Sequence, residues 1–299
     1  MNAEDINNLY VSNDFNDVIK FYNHFTNKNS IIDWMKNRSK MNPNLVEYFD
    51  NTDNYAIVVI PTINSNGKWA SIDKKIFQNL HIIFAENKNQ KPDKYFNYAF
   101  SVNAAIKRAL EYNPTWVIIS NDDIFKIDNI SQLIKELRNG ENYDSLFFPK
   151  SETYSNNVVM AKAEFQNLIR QFFYWRRSYK NIANKFKIRF EILDFKKHGF
   201  IYKHFIYRPI MKIQHHQGNF IVLNSKFIHS INSKGQIFDE TFINGHEDTW
   251  LSYKYLQNCN FKLSSFNIGR YIGSSLGNGV TRAFREMANE IYFESLLEI

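Results

Sequence analysis

The chain contains one cysteine, Cys259, in 299 residues. An internal disulfide is therefore excluded, and a reducing compartment is expected. No apolar run reaches the roughly 18 to 20 residues that a membrane-crossing helix needs, so no such span is expected. Met1 to Tyr10 is acidic and polar rather than apolar, unlike a secretory signal peptide, and the expected location is the cytoplasm. No internal repeat is present. Glycine is scarce, and seven of the 10 lie from Gly218 onward, four of them between Gly269 and Gly279, where a loop is expected. Hydrophobic residues at 44% and charged residues at 22% exclude wholesale disorder and a fibrous protein. The chain is rich in aromatics, with 27 Phe and 17 Tyr, enough for a sizeable core in one large α/β domain or two ordinary ones. Its net charge of +7 points to an anionic partner: nucleic acid, a membrane surface or a phosphorylated substrate.

Residues 1 to about 50 read as helical. Phe15, Val18, Ile19, Tyr22 and Phe25 follow the i, i+3, i+4, i+7 spacing of an amphipathic helix capped by Ser12 or Asn13. A second short helix is expected from Ser30, and Asn42-Pro43 with Asn51 to Asn54 marks a boundary. From Tyr55 the pattern changes. Ala56 to Ile60, Leu80 to Ala85, Trp116 to Ser120 and Ser145 to Phe148 are short continuous apolar runs, as buried parallel strands require. Helical periodicity over 98–112 and 130–137 alternates with them, which predicts a parallel sheet with crossover helices. Asn219 to Leu223 reads as a further strand and Thr249 to Leu256 as a helix. Residues 162 to 212 stand apart: thirteen Lys or Arg face only Glu164, Glu191 and Asp194, with Phe, Tyr and Trp interleaved.

Ligands of such sheets bind beyond the carboxyl ends of the strands. There Asn121-Asp122-Asp123 follows the strand Trp116 to Ser120, where oxygen ligands suit Mg²⁺ or Mn²⁺ bridging to phosphate; a helix cap or turn is the bland alternative. Glu247-Asp248 reads either as acids favoured at a helix start or as a general base over a cleft. His215-His216 are neighbours that point apart on a strand, so they do not make a two-His metal site. His81 reads as a satisfied core residue and Cys259 as packing.

Taken together and in order, these pieces resemble the inverting GT-A glycosyltransferases of the family 2 type, particularly the rhamnosyltransferase-like branch. That family's opening strand with Pro and Asn is similar to Ile57-Val58-Val59-Ile60-Pro61-Thr62-Ile63-Asn64. Its second strand with an acid–Asn pair resembles Ile82-Ile83-Phe84-Ala85-Glu86-Asn87. Its N-x-G-F-x-x-x-N segment resembles Asn97-Tyr98-Ala99-Phe100-Ser101-Val102-Asn103, with Ala99 replacing Gly. Its metal motif matches Asn121-Asp122-Asp123, and its late signature resembles Gly218 to Val222, Phe238-Asp239-Glu240 and Glu247-Asp248-Thr249-Trp250-Leu251. The usual late His before Gly-x-Ser is replaced by Arg270.

The resemblance implies an α/β fold of GT-A (Rossmann-like) type, a mostly parallel sheet flanked by helices, with an N-terminal helical extension and a basic helical insertion. The segments are 1–54, a nucleotide-sugar-binding half at 55–161, the basic aromatic insertion at 162–212, and an acceptor-binding half at 213–299. It implies transfer of a sugar from a nucleotide-diphosphate sugar to an acceptor hydroxyl with inversion, with Mn²⁺ or Mg²⁺ as cofactor. Asp123 and Asp122 would hold the metal. Pro61, Thr62, Asn64, Glu86, Asn97, Asn103, Asn121, Asp122 and Arg270 would bind the donor. Asp248 would be the catalytic base, with Glu247 as second choice. The acceptor would be a glycan or a lipid-linked molecule, and the basic block suits peripheral attachment to an anionic membrane. A nucleotidyltransferase, or a nucleic-acid-binding protein using that block, is the rival reading. Only Gly67 and Lys68 supply the Gly-rich basic loop that a nucleotidyltransferase needs.

Overall fold

The computed structural model describes residues 3–50, 53–87, 96–126, 128–149, 156–163, 176–194, 210–271 and 279–297. In chain order the elements are α1 (Ala3–Val11), α2 (Phe15–His24), α3 (Lys28–Asn37), β1 (Asn44–Phe49), β2 (Ala56–Thr62), α4 (Lys68–Ile76), β3 (His81–Glu86), α5 (Tyr98–Leu110), β4 (Trp116–Ser120), β5 (Ile124–Lys126), α6 (Ile130–Arg138), β6 (Ser145–Phe147) and β7 (Asn157–Lys162). There follow α7 (Arg176–Lys185), β8 (Phe190–Asp194), β9 (Met211–Gln214), β10 (Phe220–Asn224), α8 (Ser225–Ile231), α9 (Glu247–Leu251) running into a π-helical turn (Ser252–Leu256), β11 (Phe261–Leu263), β12 (Ile268–Arg270) and α10 (Gly279–Leu297).

The central sheet has seven strands in the order β1-β3-β2-β4-β10-β6-β11. Strands β3, β2, β4, β6 and β11 point the same way, while β1 and β10 run against their neighbours. The apolar runs of β2 and β4 are buried along their whole length, as strands covered on both faces must be. Alternate side chains go to opposite layers. Val58 and Ile60 pack with Ala70 and Ile76 of α4 and Leu133 and Leu137 of α6. Ile57 and Val59 pack with Val102 and Ile106 of α5 and Ile228 of α8. The chain is thus a mixed α/β protein with a mostly parallel central sheet between helices.

Two expectations change, and one open point is decided. Residues 44–49 form an edge strand, not a helix: they pair antiparallel with β3, and Glu47 collects His81 Nε2 at 3.0 Å, Arg108 Nε at 2.7 Å and Tyr112 OH at 2.6 Å. That network satisfies His81 only at Nε2; its Nδ1 is buried without a hydrogen-bond partner among the described residues, so the expectation of a satisfied core residue holds in part. The strand at 220–224, for which the sequence sets no direction, runs antiparallel to both β4 and β6. The basic block is not a helical insertion alone. Its described part combines α7 with a three-stranded antiparallel sheet, β8-β7-β9.

The block and the N-terminal helices, separate segments by sequence, share one core. Val18, Phe21 and Tyr22 of α2, Ile31 of α3, Tyr179, Ile182 and Phe186 around α7, and Phe284 and Ile291 of α10 are all buried in it. Helix α2 is capped by Asp14, whose side chain accepts from Asn16 N, and α3 by an Asn27–Ser30 capping box. Arg285 of α10 is buried and donates to Tyr10 O at 2.9 Å and Val11 O at 3.0 Å, as well as to Ser12 O. It thereby occupies the last carbonyls of α1, which have no partner within the helix. Residues 164–175 and 195–209 of the block, and 272–278 of the expected glycine-rich loop, lie outside the described residues. Among the described residues no helix is long and apolar enough to cross a membrane.

Candidate active site

Strand β10, antiparallel to β4, builds the site. Phe220 at the start of β10 pairs with Ser120 at the end of β4, so the turn before β10 lies against the residues after β4. Asn121 N donates to Asn219 O at 2.9 Å. Gly218, one residue earlier, donates its N–H to Asp248 Oδ2 at 2.8 Å. Two acidic groups far apart in sequence, Asp122-Asp123 and Glu247-Asp248, thereby reach one edge of the sheet. Tyr98 lies between them: its phenol is buried, donates to Gly218 O at 2.5 Å, and is pushed well up by burial and then by the charges of Glu247, Asp248 and Asp123.

Beside β4, Thr62 Oγ1 donates to Asp122 Oδ2 at 2.9 Å. Burial nonetheless pushes Asp122 up to about 6, the Thr62 hydroxyl opposing this and the Asp123 charge adding to it. Asp73 of α4 is fully buried, and neither of its carboxyl oxygens has a hydrogen-bond partner among the described residues. Burial, then the charges of Asp122 and Asp123, push it up to about 9, so it keeps its proton at pH 7. Asn121 Oδ1 and both amide atoms of Asn219 are likewise buried without partners among the described residues. Native interiors seldom leave such groups unsatisfied. These unsatisfied groups lie around the carboxyl end of β4, Asp73 reaching it from α4.

No group of three or more His, Cys, Asp or Glu side chains that could hold a metal ion occurs among the described residues. The donor set here is smaller but consistent in chemistry: adjacent carboxylates at Asp122 and Asp123 and the orphaned amide oxygen of Asn121, all hard oxygen donors. Mg²⁺ and Mn²⁺ are commonly held by one or two carboxylates, with water and phosphate completing the shell, and Asp122 and Asp123 fit that requirement.

At the other acidic group, Asn244 and His246 have φ of 53° and 67°, in the left-handed region that Asn and His tolerate better than most residues. This turn sets the direction of α9. Asp248 Oδ1 accepts from Thr249 N at 2.8 Å, and Oδ2 lies 3.0 Å from His215 Nε2. Burial works to raise Asp248, but the His215 charge and hydrogen bond and the Gly218 N–H outweigh it and hold the carboxyl below its ordinary value. Glu247 is pushed the other way by burial and by the Asp248 charge. The two acids therefore differ: Asp248 is the ionised one at neutral pH. A Cβ on Gly218 would stand 3.0 Å from Asp248 Cβ and Oδ2, so a side chain here would press on the carboxylate and shift it by a few tenths of an ångström.

The remaining donor-site residues divide. Pro61 and Thr62 end β2 opposite Ala85 and Glu86 of β3. Asn64 is exposed and shapes the turn into α4, accepting from Asn66 N at 2.9 Å. Glu86 accepts from Ser65 N at 3.0 Å and so fixes this loop from β3. Asn97 and Asn103 have a different job from the one the resemblance implies. Asn97 caps α5 at Phe100 N and donates to Glu240 O at 3.0 Å and Phe242 O at 2.9 Å. Asn103 donates to Phe238 O at 2.9 Å and Glu240 Oε1 at 3.0 Å and accepts from Ile237 N and Phe238 N. Both amides are buried and spent on the chain leading to α9, with no face left for a ligand. Arg270 joins through its main chain, paired with Ile124 in the β12–β5 ribbon; its side chain lies outside the described part. Sequence reading gives no role to Asp73, to Tyr98 within its Asn97 to Asn103 segment, or to His215. None carries a local signal, since each acquires its role only from a residue distant in the chain.

No protein family matches the chain, and no curated protein does. Among solved structures it is similar to one titled "Crystal Structure of A197 from STIV", at 12% identity over 73% of this chain and 86% of that one, with a TM-score of 0.38. A likeness at that level carries no functional argument. The class that stands is the one the strands define: an α/β protein with a mostly parallel central sheet flanked by helices and acidic side chains gathered beyond the end of β4.

Proposed function

We propose that the protein is a metal-assisted, inverting glycosyltransferase that moves a sugar from a nucleotide-diphosphate donor to an acceptor hydroxyl. The observation that carries this is the meeting, at one strand edge, of a hard-oxygen anion-bridging group at Asp122-Asp123 with an ionised carboxylate at Asp248. The first suits a diphosphate leaving group, the second the proton of an attacking hydroxyl. Asp123 with Asp122 would hold a divalent cation, which as a Lewis acid would stabilise the charge that grows on the diphosphate. Thr62 orients Asp122 through its hydroxyl. The loop 62–65, pinned by Glu86, frames the nucleotide, and Asp248 takes the acceptor proton while Gly218 N–H fixes its direction.

The test is a screen of UDP-, GDP- and dTDP-sugars by thermal shift and by release of nucleoside diphosphate, with Mn²⁺ and with EDTA. Mn²⁺-dependent stabilisation by one nucleotide class, followed by turnover with an acceptor, is expected. Indifference to every sugar nucleotide in the presence of Mn²⁺ would refute the reading.

A further inference from the structure

With its present partners Asp248 is a poor proton acceptor: both oxygens already accept hydrogen bonds, and against the raising effect of burial the His215 charge and hydrogen bond favour the ionised form. The strongest of its neighbours is His215, which follows β9 and reaches the site from the second sheet. His215 is held on either side by main-chain contacts: its own N–H donates to Asn156 O at 2.9 Å, and His216 N donates to Ser252 Oγ at 2.9 Å. Its Nε2 stands 3.0 Å from Asp248 Oδ2 and 3.4 Å from Thr249 Oγ1.

Resting on the glycosyl-transfer reading, we infer that His215 is a positioning residue for the base: His215 and Asp248 act as one proton-accepting pair, active only while His215 is neutral. Neutral His215 donates Nε2–H to Asp248 Oδ2 and aims the carboxylate. Protonated His215 makes an ion pair that stabilises the carboxylate as an anion and suppresses its uptake of a proton. In the transfer step the acceptor O–H bond breaks and its proton goes to Asp248. The acceptor oxygen bonds to the anomeric carbon, and the bond from that carbon to the diphosphate breaks with its electron pair leaving on the diphosphate.

The other titrating groups around the pair do not compete for this role. His216 is buried beside it, and burial with the His215 charge pushes it down to about 3, so it stays neutral. His246 is lowered chiefly by burial. Glu247, on the same helix as Asp248, is pushed up by burial and by Asp248. The Gly218 contact supplies the steric half of the device: with Cβ absent, the carboxylate is clamped between the Gly218 N–H and His215.

The experiment is long-range ¹H–¹⁵N NMR of the imidazoles in the full chain, with His215 assigned by its loss in His215→Gln. In Asp248→Asn the His215 proton affinity is expected to fall at least about tenfold. Gly218→Ala, which alters neither titrating group, should weaken the same coupling. Initial rates are then measured against pH with the sugar nucleotide that the wild type turns over in Mn²⁺. The acid limb should coincide with the His215 midpoint. His215→Gln should lose that limb and slow turnover roughly tenfold to hundredfold at pH 7.5, with donor KM within about twofold. A His215 titration unchanged by Asp248→Asn, or an acid limb that survives in His215→Gln, overturns the proposal. Intact NMR coupling in a wild type that turns over no sugar nucleotide overturns the glycosyl-transfer reading instead, so the two failures are separable.

Discussion

Asp73→Asn should make the protein more stable at neutral pH, although it removes a charged residue type from beside the candidate cation site. Asp73 is fully buried with both oxygens unpartnered among the described residues, and its carboxyl is pushed from an ordinary 3.8 up to about 9. The folded chain therefore keeps a proton that the unfolded chain gives up above its ordinary value. With the folded value raised, stability must fall as pH rises through the window from about 4 to about 9. From 3.8 to pH 7 is about three units, each about 1.4 kcal/mol, so the cost at pH 7 approaches 4 kcal/mol. Asparagine keeps the shape and cannot ionise. Allowing for an amide that is itself unsatisfied, the gain should be roughly 2 to 4 kcal/mol, or about 4 to 8 °C in Tm. Urea unfolding of both proteins from pH 4.5 to 8, in EDTA, measures it. The gap should shrink towards pH 4.5, where the folded carboxyl is protonated and the pH lies less than one unit above the ordinary 3.8, so the cost falls to about 1 kcal/mol. Mn²⁺ should narrow it only in part at pH 8, since a cation at Asp122-Asp123 cancels the repulsion that adds to burial in raising Asp73. A gap that does not vary with pH, or a variant no more stable than wild type at pH 7, would show that Asp73 is not the buried, proton-holding group described above.

Other perturbations probe other parts of the molecule. Asp123→Ala should abolish the Mn²⁺-dependent rise in Tm and any Mn²⁺-dependent donor binding while leaving unfolding cooperative; an undiminished Mn²⁺ response would move the cation elsewhere. Arg285→Met should cost about 3 kcal/mol in urea unfolding, because the carbonyls of Tyr10, Val11 and Ser12 lose a shared donor inside a packed core; a loss under about 1 kcal/mol would mean that water replaces the guanidinium. In α7 the rings of Tyr179 and, just after it, Phe186 are buried, whereas Arg177 and Lys180 are exposed, so attachment to a membrane would be electrostatic. Each basic residue close to an anionic surface is worth about 1 kcal/mol, so reversing Arg177 and Lys180 to Glu should release the protein from anionic liposomes at low salt. Equal indifference of the wild type to anionic and neutral liposomes would end that idea.

The parts of this fold that are legible in the sequence are those dictated by local physics. Ala56 to Ile60 and Trp116 to Ser120 are too short and too uniformly apolar to be anything but buried strands, and they are buried throughout. The spacing of Val18 and Tyr22 likewise gives a helix with an inward face. Direction and pairing are not local. An apolar pentapeptide such as Phe220 to Asn224 carries no mark of which way it runs, and Leu45 to Phe49 becomes a strand because β3 offers an edge and Glu47 finds three partners there. The same limit hid half of the candidate site. In sequence Asp73 is one polar residue on an amphipathic helix, and only the sheet beneath shows that it faces Asp122 and Asp123. In sequence His215 is one of two adjacent histidines that make no metal site, and only the fold shows Asp248 beside it.

Asn97 and Asn103 show how a sequence pattern can bear on function without touching a ligand. Their side chains hold the main chain at 237–242, while Tyr98 N donates to Asn244 Oδ1 at 2.8 Å and Tyr98 OH to Gly218 O. Helix α5, whose apolar face packs on β2 and β3, is thus bonded along one side to the segment that turns through Asn244 and His246 into Asp248. A pair of carboxylates on separate loops would drift by more than the distances a proton transfer tolerates. Tying the Asp248 loop to a helix that is itself packed on β2 and β3 removes that freedom, because the end of β2 also carries Thr62, the partner of Asp122. The two acidic groups are then referenced to the same rigid elements. Loss of Asn103 would therefore loosen Asp248 relative to Asp122 from a distance, by releasing the chain between them rather than by removing a contact with substrate.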